Sequence, residues 1–189
     1  MSGSNADVTS GITEALPTGV ALGVGAFVIN YIITFVFVVL DGADLSGASS
    51  WKVVGMVLFN AHQVSLEISS SVISGSMNLL TGGMMASQTA LGSTVPTIVY
   101  QIVPILVLIG FGFFVAQSAR AADPVTGALA GATITAGYVL LAVVGVFLFN
   151  VSQQGASMGP SVLMGIVLAG IVYPLVTGAI GGAAAGASN

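Results

Sequence analysis

A polar cluster at the end of an apolar stretch contains the single histidine of this sequence and one of its six carboxylates. It consists of Asn60, His62, Gln63 and Glu67. On a helix Gln63 and Glu67 share a face because they are four residues apart, whereas His62 and Glu67 do not. A zinc site requires three or four ligands, and this cluster offers one histidine and one carboxylate. We therefore expect a polar cap at the membrane interface and no metal site. A proton-sensitive or ligand-contacting His62 is the alternative.

A second group of polar side chains lies within apolar sequence. Its members are Asn30, Tyr138 and Tyr173. Pro104 and Pro174 also lie inside apolar segments, where each removes a backbone hydrogen bond and bends its helix. Because irregular backbone in mid-membrane builds the substrate sites of many transporters, one interpretation of these residues is a substrate site capped by His62. The alternative is that the amide and the phenols only join neighbouring helices by hydrogen bonds.

Composition excludes several other kinds of chemistry. A chain without cysteine forms no disulfide, thiolate metal site or cysteine nucleophile. Its formal net charge of −4 excludes a basic face for nucleic acid. The single histidine leaves no HExxH motif, and we expect no G-x-S-x-G motif of a nucleophile elbow either. We expect neither an enzyme nor a protein that requires a cofactor.

The elements that position these residues are long, apolar and nearly free of charge. Charged residues make up 4% of the 189 residues, against about 25% in ordinary soluble domains. No charged residue lies between Glu67 and Arg120 or after Asp123. A chain embedded in a bilayer must exclude charge. The sequence therefore predicts a multi-pass protein of the cell membrane whose first partner is the lipid bilayer.

Four segments are long enough to cross about 30 Å of hydrocarbon at about 1.5 Å per residue. They are predicted at about residues 17–40, 96–116, 124–149 and 160–182. A further segment, about residues 51–62, begins apolar but ends in the polar cluster, and each strongly polar group placed in lipid would cost about 2–3 kcal/mol. The sequence thus predicts an all-α membrane protein with four transmembrane helices and a short interfacial or re-entrant half-helix. Five transmembrane helices are the alternative.

The remaining segments complete a single-domain organisation. We predict a polar N-terminal tail (1–15), one transmembrane domain (16–182) with a Gly/Ser-rich loop (69–93), and a C-terminal tail (183–189). Four prolines mark predicted helix starts, where proline costs no hydrogen bond: Pro17, Pro96, Pro124 and Pro160. Asp123 is the predicted N-cap of the helix that follows it.

Glycines recur at a spacing of four residues along the predicted spans. The residues in these strips are Gly19, Gly23, Gly127, Gly131, Gly178 and Gly182. Such strips let another helix backbone approach closely. They predict packing among the spans of this chain. A face for a homo-oligomer or for other membrane subunits is the alternative.

The order of landmarks along the chain resembles an uncharacterised family of haloarchaeal multi-pass membrane proteins, some of them labelled as transporters. The matching elements are Leu40-Asp41-Gly42, Trp51 to Gly55, Phe59 to His62, Val103-Pro104, Gly137-Tyr138 and Gly170 to Pro174. The resemblance covers about residues 16–182 and is most specific at residues 51–62. The resemblance implies a location in the cell membrane and a multi-pass helical fold, but it implies no mechanism.

Two functions from different classes follow from these observations. The first is a small, non-enzymatic, transport-like membrane protein whose site combines Asn30, Tyr138 and Tyr173 with the two proline kinks and His62. The second is a structural or accessory membrane subunit that packs through its glycine-rich helix faces.

Overall fold

The computed structural model describes residues 3–188, except residues 48, 73 and 82–90, with side chains from residue 12 onward. The helices are α1 (Gly3–Leu40), α2 (Ser50–Ala61), α3 (Thr97–Ser118), α4 (Pro124–Ala132), α5 (Ile134–Leu148), α6 (Val162–Met164), a π-helical segment (Gly165–Val172) and α7 (Tyr173–Ala187). The strands are β1 (Leu66–Ser69), β2 (Ser74–Met77), β3 (Val151–Gln153) and β4 (Ala156–Pro160).

Four helical stretches of the described chain are long and apolar enough to cross a membrane: Ile12–Leu40, Thr97–Ser118, Pro124–Leu148 and Val162–Ala187. Between 28% and 39% of their most apolar windows is buried inside the protein. Large exposed side chains such as Leu106 and Phe147 form the remaining surface, which lipid solvates far better than water does. The predicted four-span all-α membrane fold is confirmed. At 12 residues, or about 18 Å, α2 is too short to be a fifth span.

The chain divides into two compact units, and each span contributes residues to both. One unit comprises Met1–Val28, Ile105–Leu141 and Gly170–Asn189; we call it the glycine unit. The other comprises Ile29–Pro104 and Ala142–Ala169; we call it the sheet unit.

In the glycine unit the helices touch backbone to backbone. A Cβ atom added to Gly23 of α1 would overlap the carbonyl oxygen of Ile134 in α5, and one added to Gly182 of α7 would overlap that of Gly127 in α4. The glycines predicted for helix packing all lie at close contacts with this chain's own helices: Gly19, Gly23, Gly127, Gly131, Gly178 and Gly182. Without side chains between them, these backbones reach the short separations at which van der Waals contact is greatest.

The sheet unit is built around the half-helix α2. The eight residues from Val54 to Ala61 are buried, and because they span more than two helical turns, every face of α2 is covered along this stretch. Phe149 packs on it: the ring lies against Gly55, meets Trp51 and Phe59 edge-on, and stacks on Tyr31 with 5.8 Å between centroids.

A four-stranded antiparallel sheet, in the order β2-β1-β4-β3, completes the sheet unit and was not predicted. β3 and β4 form a hairpin whose two turn residues, Gln154 and Gly155, have positive φ values of 50° and 80°. Such two-residue turns match the twist of paired strands. The central pair joins distant sequence, since Leu66 pairs with Pro160.

Several element boundaries differ from the expected ones. Pro17 lies inside α1 and does not begin it, so the segment expected as a polar tail is helical from Gly3. Pro160 ends β4, and the last helical stretch starts at Val162. At the other end α7 continues to Ala187, because Gly186 packs directly against the backbone of Asp123. Of the predicted loop 69–93, residues 74–77 form β2 and residues 82–90 lie outside the described residues.

The two prolines inside spans behave differently. Pro104 is accommodated within α3. Pro174 stands at the start of α7, directly after the eight-residue π-helical segment. Proline has no N–H to donate and its ring crowds the carbonyl four residues earlier, and the wider π-helical turn meets both constraints. The predicted irregularity of the last span is therefore a change of helix type.

Candidate functional site

Asn60 fastens the end of α2 to the chain around it. Its side chain is 0% exposed. The amide nitrogen donates to the carbonyl of Val64 at 2.8 Å, and the amide oxygen accepts from the backbone N–H of Leu79 at 2.8 Å. The Asn78 side chain donates to the Asn60 carbonyl at 3.2 Å. The polar groups of Asn60 thus hold the segment after β2 against α2.

His62 is buried at the C-terminal end of the same helix, with 1% of its surface exposed. Its Nδ1 donates to the carbonyl oxygen of Leu58 at 2.8 Å, which assigns the proton of the neutral ring to Nδ1. Burial lowers the pKa of His62 to about 4, although the bond to Leu58 acts in the opposite direction. His62 is therefore neutral at physiological pH and does not change charge between pH 5 and 8. This counts against the proton-sensing alternative.

Two acidic residues of the sheet unit are exposed, whereas His62 is buried. Glu67 is exposed on β1, and Asp44 is exposed and accepts from the backbone N–H of Ser46. Among the residues that the structure describes, no group of three or more histidine and acidic side chains is placed to hold a metal ion.

Asp41, directly after α1, accepts four hydrogen bonds at its carboxylate. It is 5% exposed. One carboxylate oxygen accepts from the backbone N–H groups of Thr94 (2.8 Å) and Val95 (2.7 Å), and the other from that of Gly92 (2.7 Å) and from the Tyr100 hydroxyl (2.8 Å). We call this arrangement the Asp41 latch, because it ties the end of α1 to the start of α3.

The electrostatics of the latch favour the charged carboxylate. Burial is the largest single influence and would raise the pKa of Asp41, but the four hydrogen bonds together outweigh it and lower that pKa below its ordinary value. Hydrogen bonds to an ionised acceptor are stronger than neutral ones. The latch is therefore a strong, charge-assisted joint.

The residues of the predicted midplane site are divided between the two units. Asn30 lies in the sheet unit, is 1% exposed, and accepts at its carbonyl from the Thr34 hydroxyl at 2.8 Å; His62 is in the same unit. Tyr138 lies in the glycine unit, is 0% exposed, and meets Phe27 edge-on at 5.1 Å. Tyr173 belongs to that unit too, and its carbonyl accepts from the Thr177 hydroxyl at 2.5 Å.

The strand register creates a polar surface that sequence reasoning missed. Four serines, one from each strand, lie side by side across the sheet: Ser74, Ser69, Ser157 and Ser152. We call them the serine row. With strands about 4.8 Å apart the row is about 14 Å long. Ser157 is half-buried and the other three are exposed; Glu67 shares their face because it is two residues from Ser69.

The opposite face of the sheet is apolar. Ile68, Met158 and Val151 lie side by side on it and line a shallow hollow of about 230 Å³. The alternation that separates the two faces is visible in Leu66-Glu67-Ile68-Ser69 and is the signal of a half-buried strand. That signal could have revealed β1 from the sequence.

The sequence contains one G-x-S-x-G match, at residues 155–159, which corrects the expectation that no such motif occurs. A nucleophile elbow places its serine on a sharp turn between a strand and a helix. Here Ser157 lies within β4, paired with Ser69 and Ser152, and Gly155 forms the β3–β4 turn. The match is a hairpin sequence and does not have the geometry of an elbow.

These features define a four-span membrane protein that carries a small antiparallel sheet and in which buried polar side chains tie together the segments around α2 and the end of α1. The chain belongs to a family of unknown function (DUF7978), which it matches over residues 2–189. No curated protein matches it, and no solved structure does. The family supplies no activity, so function has to be argued from the residues themselves.

Proposed function

We propose that this chain is a non-enzymatic accessory membrane subunit, anchored by its four spans, that binds a partner through the serine row. One observation carries the proposal. Asp41, Asn60 and His62, which have the chemistry for a site, all bond backbone atoms of this chain. Side chains used in this way hold a structure and leave little capacity for a substrate.

The partner surface proposed here differs from the one that the sequence suggested. The glycine strips contact this chain's own helices, so they are covered and a partner helix could not reach them. The serine row is exposed on three of its four residues and offers hydroxyl groups that both donate and accept hydrogen bonds. The exposed Glu67 carboxylate lies on the same face, so this polar surface suits a partner that contributes hydroxyl or amide groups as hydrogen-bond donors.

The experiment is a test of complex formation in mild detergent. Native mass spectrometry of the wild-type protein, isolated from its own membranes, should show a stoichiometric species larger than the 18.7 kDa chain. The double variant Ser69→Arg/Ser74→Arg should remove that species, because two arginines on the row block a close partner. Both side chains are exposed, so the variant should still fold, with a loss of at most about 1 kcal/mol because the two arginines face each other across the paired strands.

Ser118→Arg is the matched control, since Ser118 is an exposed serine of the glycine unit. It should leave the complex intact. A wild-type protein that stays monomeric, both in mild detergent and after cross-linking in its membranes, would contradict the accessory role.

A transport-like role is the second candidate, and the π-helical segment Gly165–Val172 is the observation that favours it. Eight residues of π-helix interrupt the last span just before Pro174, and irregular helix within a span accompanies function in many membrane proteins. Apart from Glu14 near the start of the first, the spans contain no charged side chain. An uncharged solute is therefore the substrate class that fits.

Swelling of proteoliposomes in glycerol and urea tests this second candidate. The variants Asn30→Leu and Tyr173→Phe should insert and fold but abolish the flux. If the wild-type protein swells the vesicles no faster than protein-free controls, or if both variants conduct normally, the transport-like site is wrong.

A haloarchaeal origin and a transporter label, both of which come from the resemblance, are further proposals. Six carboxylates against two basic residues suit the haloarchaeal origin that the resemblance implies. The transporter label attached to some members of that family would follow only from a positive swelling experiment.

A further inference from the structure

Arg120 is the only basic residue of the glycine unit, because the other one in the chain, Lys52, belongs to the sheet unit. It lies in the connection between α3 and α4, two residues beyond the end of the span at Ser118. A side chain at that distance from the apolar segment reaches the level of the lipid headgroups. Arg120 is exposed, and within the described part of the chain its guanidinium makes no hydrogen bond or ion pair.

The backbone conformation at Arg120 is one that favours glycine and not arginine. Its φ is 52°, in the left-handed region, and the N–H of Ala121 bonds the carbonyl of Ala116 at 3.1 Å across it. This is the residue after a helix C-terminus at which glycine is the usual choice, since glycine has no Cβ to clash. A non-glycine residue held in such a conformation points to a use for its side chain.

The surroundings of Arg120 fit one phosphate group. A shallow hollow of about 350 Å³ is lined by Gln117, Arg120, Ala121 and Ala122. The two alanines leave the guanidinium open on this side, and the Gln117 amide adds a neutral donor. A phosphate diester shares one negative charge between two non-bridging oxygens, which match the paired N–H groups of a guanidinium.

A second hollow beside Arg120 does not fit an anion. It is lined by Glu14, Thr18, Ser118 and Arg120, among others, and the Glu14 carboxylate would repel a phosphate there. The acidic side chain therefore restricts binding to the Gln117 side and to a single headgroup.

We propose that Arg120 binds the phosphate of one anionic phospholipid in the hollow lined by Gln117, Ala121 and Ala122. The bound headgroup fixes the α3–α4 connection at the membrane surface. Anionic lipid is the partner that charge complementarity selects, because its phosphate carries no compensating ammonium group and a membrane surface holds it at high local concentration. The inference is independent of the accessory role proposed for the serine row.

The test is native mass spectrometry of the full chain, released from nanodiscs of phosphatidylcholine with and without phosphatidylglycerol. The wild type should retain one phosphatidylglycerol. Arg120→Gln should lower its occupancy by about fivefold, the effect of one basic residue beside an anionic headgroup. Arg120→Lys should retain part of the lipid, because a point charge replaces the guanidinium fork.

Arg120→Gly separates binding from folding. It should lose the lipid as Arg120→Gln does, yet unfold at the same or a higher temperature, because glycine suits the left-handed backbone. Lys52→Gln is the matched control: it removes the other basic residue and should keep the lipid.

Two results would overturn the proposal. One is equal phosphatidylglycerol retention by the wild type and by Arg120→Gly. The other is displacement of the lipid by inorganic phosphate at millimolar concentration, which would make the hollow a site for free anions.

Discussion

The glycine unit and the sheet unit bring helices and strands together by opposite means. In the glycine unit, side chains are absent where backbones meet, as at Gly23 against Ile134 and Gly182 against Gly127. In the sheet unit, buried polar side chains make the joints, and the Asp41 latch alone receives four hydrogen bonds. The first arrangement should fail when volume is added, and the second when a polar group is removed. This difference shows that one small membrane chain can rely on shape in one part and on hydrogen bonding in another.

The largest effect is expected from adding volume to the glycine unit. Gly23→Leu places a side chain where even a Cβ atom would overlap the backbone of α5, so it should destabilise the protein by more than about 3 kcal/mol. Size-exclusion chromatography and thermal unfolding in detergent measure the loss. Gly110→Leu is the control, because a Cβ at Gly110 meets nothing within 4 Å, and removing a helical glycine gains up to about 1 kcal/mol. Equal losses in the two variants would refute the role of the close backbone contact.

A smaller but still large effect is expected from opening the Asp41 latch. Asp41→Asn keeps the volume but turns an NH₂ group toward donors that need an acceptor, which should cost about 3 kcal/mol. Thermal unfolding and amide hydrogen exchange at Gly92, Thr94 and Val95 report it. Asp44→Asn, at an exposed carboxylate with one backbone donor, should change stability by less than about 0.5 kcal/mol. Unchanged exchange at the three amides in Asp41→Asn would show that the latch is not what orders them.

The pH dependence of the free energy of unfolding is a third way to distinguish the two units. His62, whose protonation should cause that dependence, belongs to the sheet unit. Its folded pKa of about 4 lies below the value of about 6.5 for an unfolded chain. Between these values the unfolded state binds a proton that the folded state does not. The free energy of unfolding should therefore be constant above pH 6.5 and fall by on the order of 3 kcal/mol as the pH drops to 4.

His62→Asn isolates this contribution, since an asparagine amide can replace Nδ1 as the donor to Leu58 without titrating. Chemical unfolding from pH 7 to pH 4 should show a slope for the wild type and a weaker one for the variant. Asp41, whose pKa is lowered, adds a loss of stability only as the pH falls below about 3.9. Parallel curves for the wild type and His62→Asn would contradict the assignment to His62.

Most of the transmembrane helices could be predicted from short stretches of the sequence. Hydrocarbon thickness and the cost of charge fix the number of spans, and these four spans are confirmed. The Asp123 N-cap is equally local: its side chain accepts from the N–H groups of Val125 and Thr126 at 2.8 and 3.1 Å, as an acidic residue before Pro124 favours. Predictions of this kind need only a few consecutive residues.

The sheet and the latch depend on partners far away in the sequence. Asp41 bonds residues 51 to 59 positions later, and nothing in its neighbourhood indicates which N–H groups will meet it. The strands are short and rich in serine and glycine, which have weak strand preference, and only the alternation in β1 indicated one. The midplane group of Asn30, Tyr138 and Tyr173 was chosen by depth in the membrane alone, and its role as a site stays a prediction.

The pairing of β1 with β4 has a consequence for biosynthesis. Leu66 pairs with Pro160, so β1 is made well before the strand that covers its inner edge. Ribosomes add about 5–20 residues per second, and during that interval the nascent chain exposes unpaired N–H and C=O groups on β1. A polypeptide truncated before Ala156 would keep that edge open permanently. The strand that completes the sheet is therefore synthesised directly before the last span, so the edge of β1 stays unpaired until that part of the chain has been made.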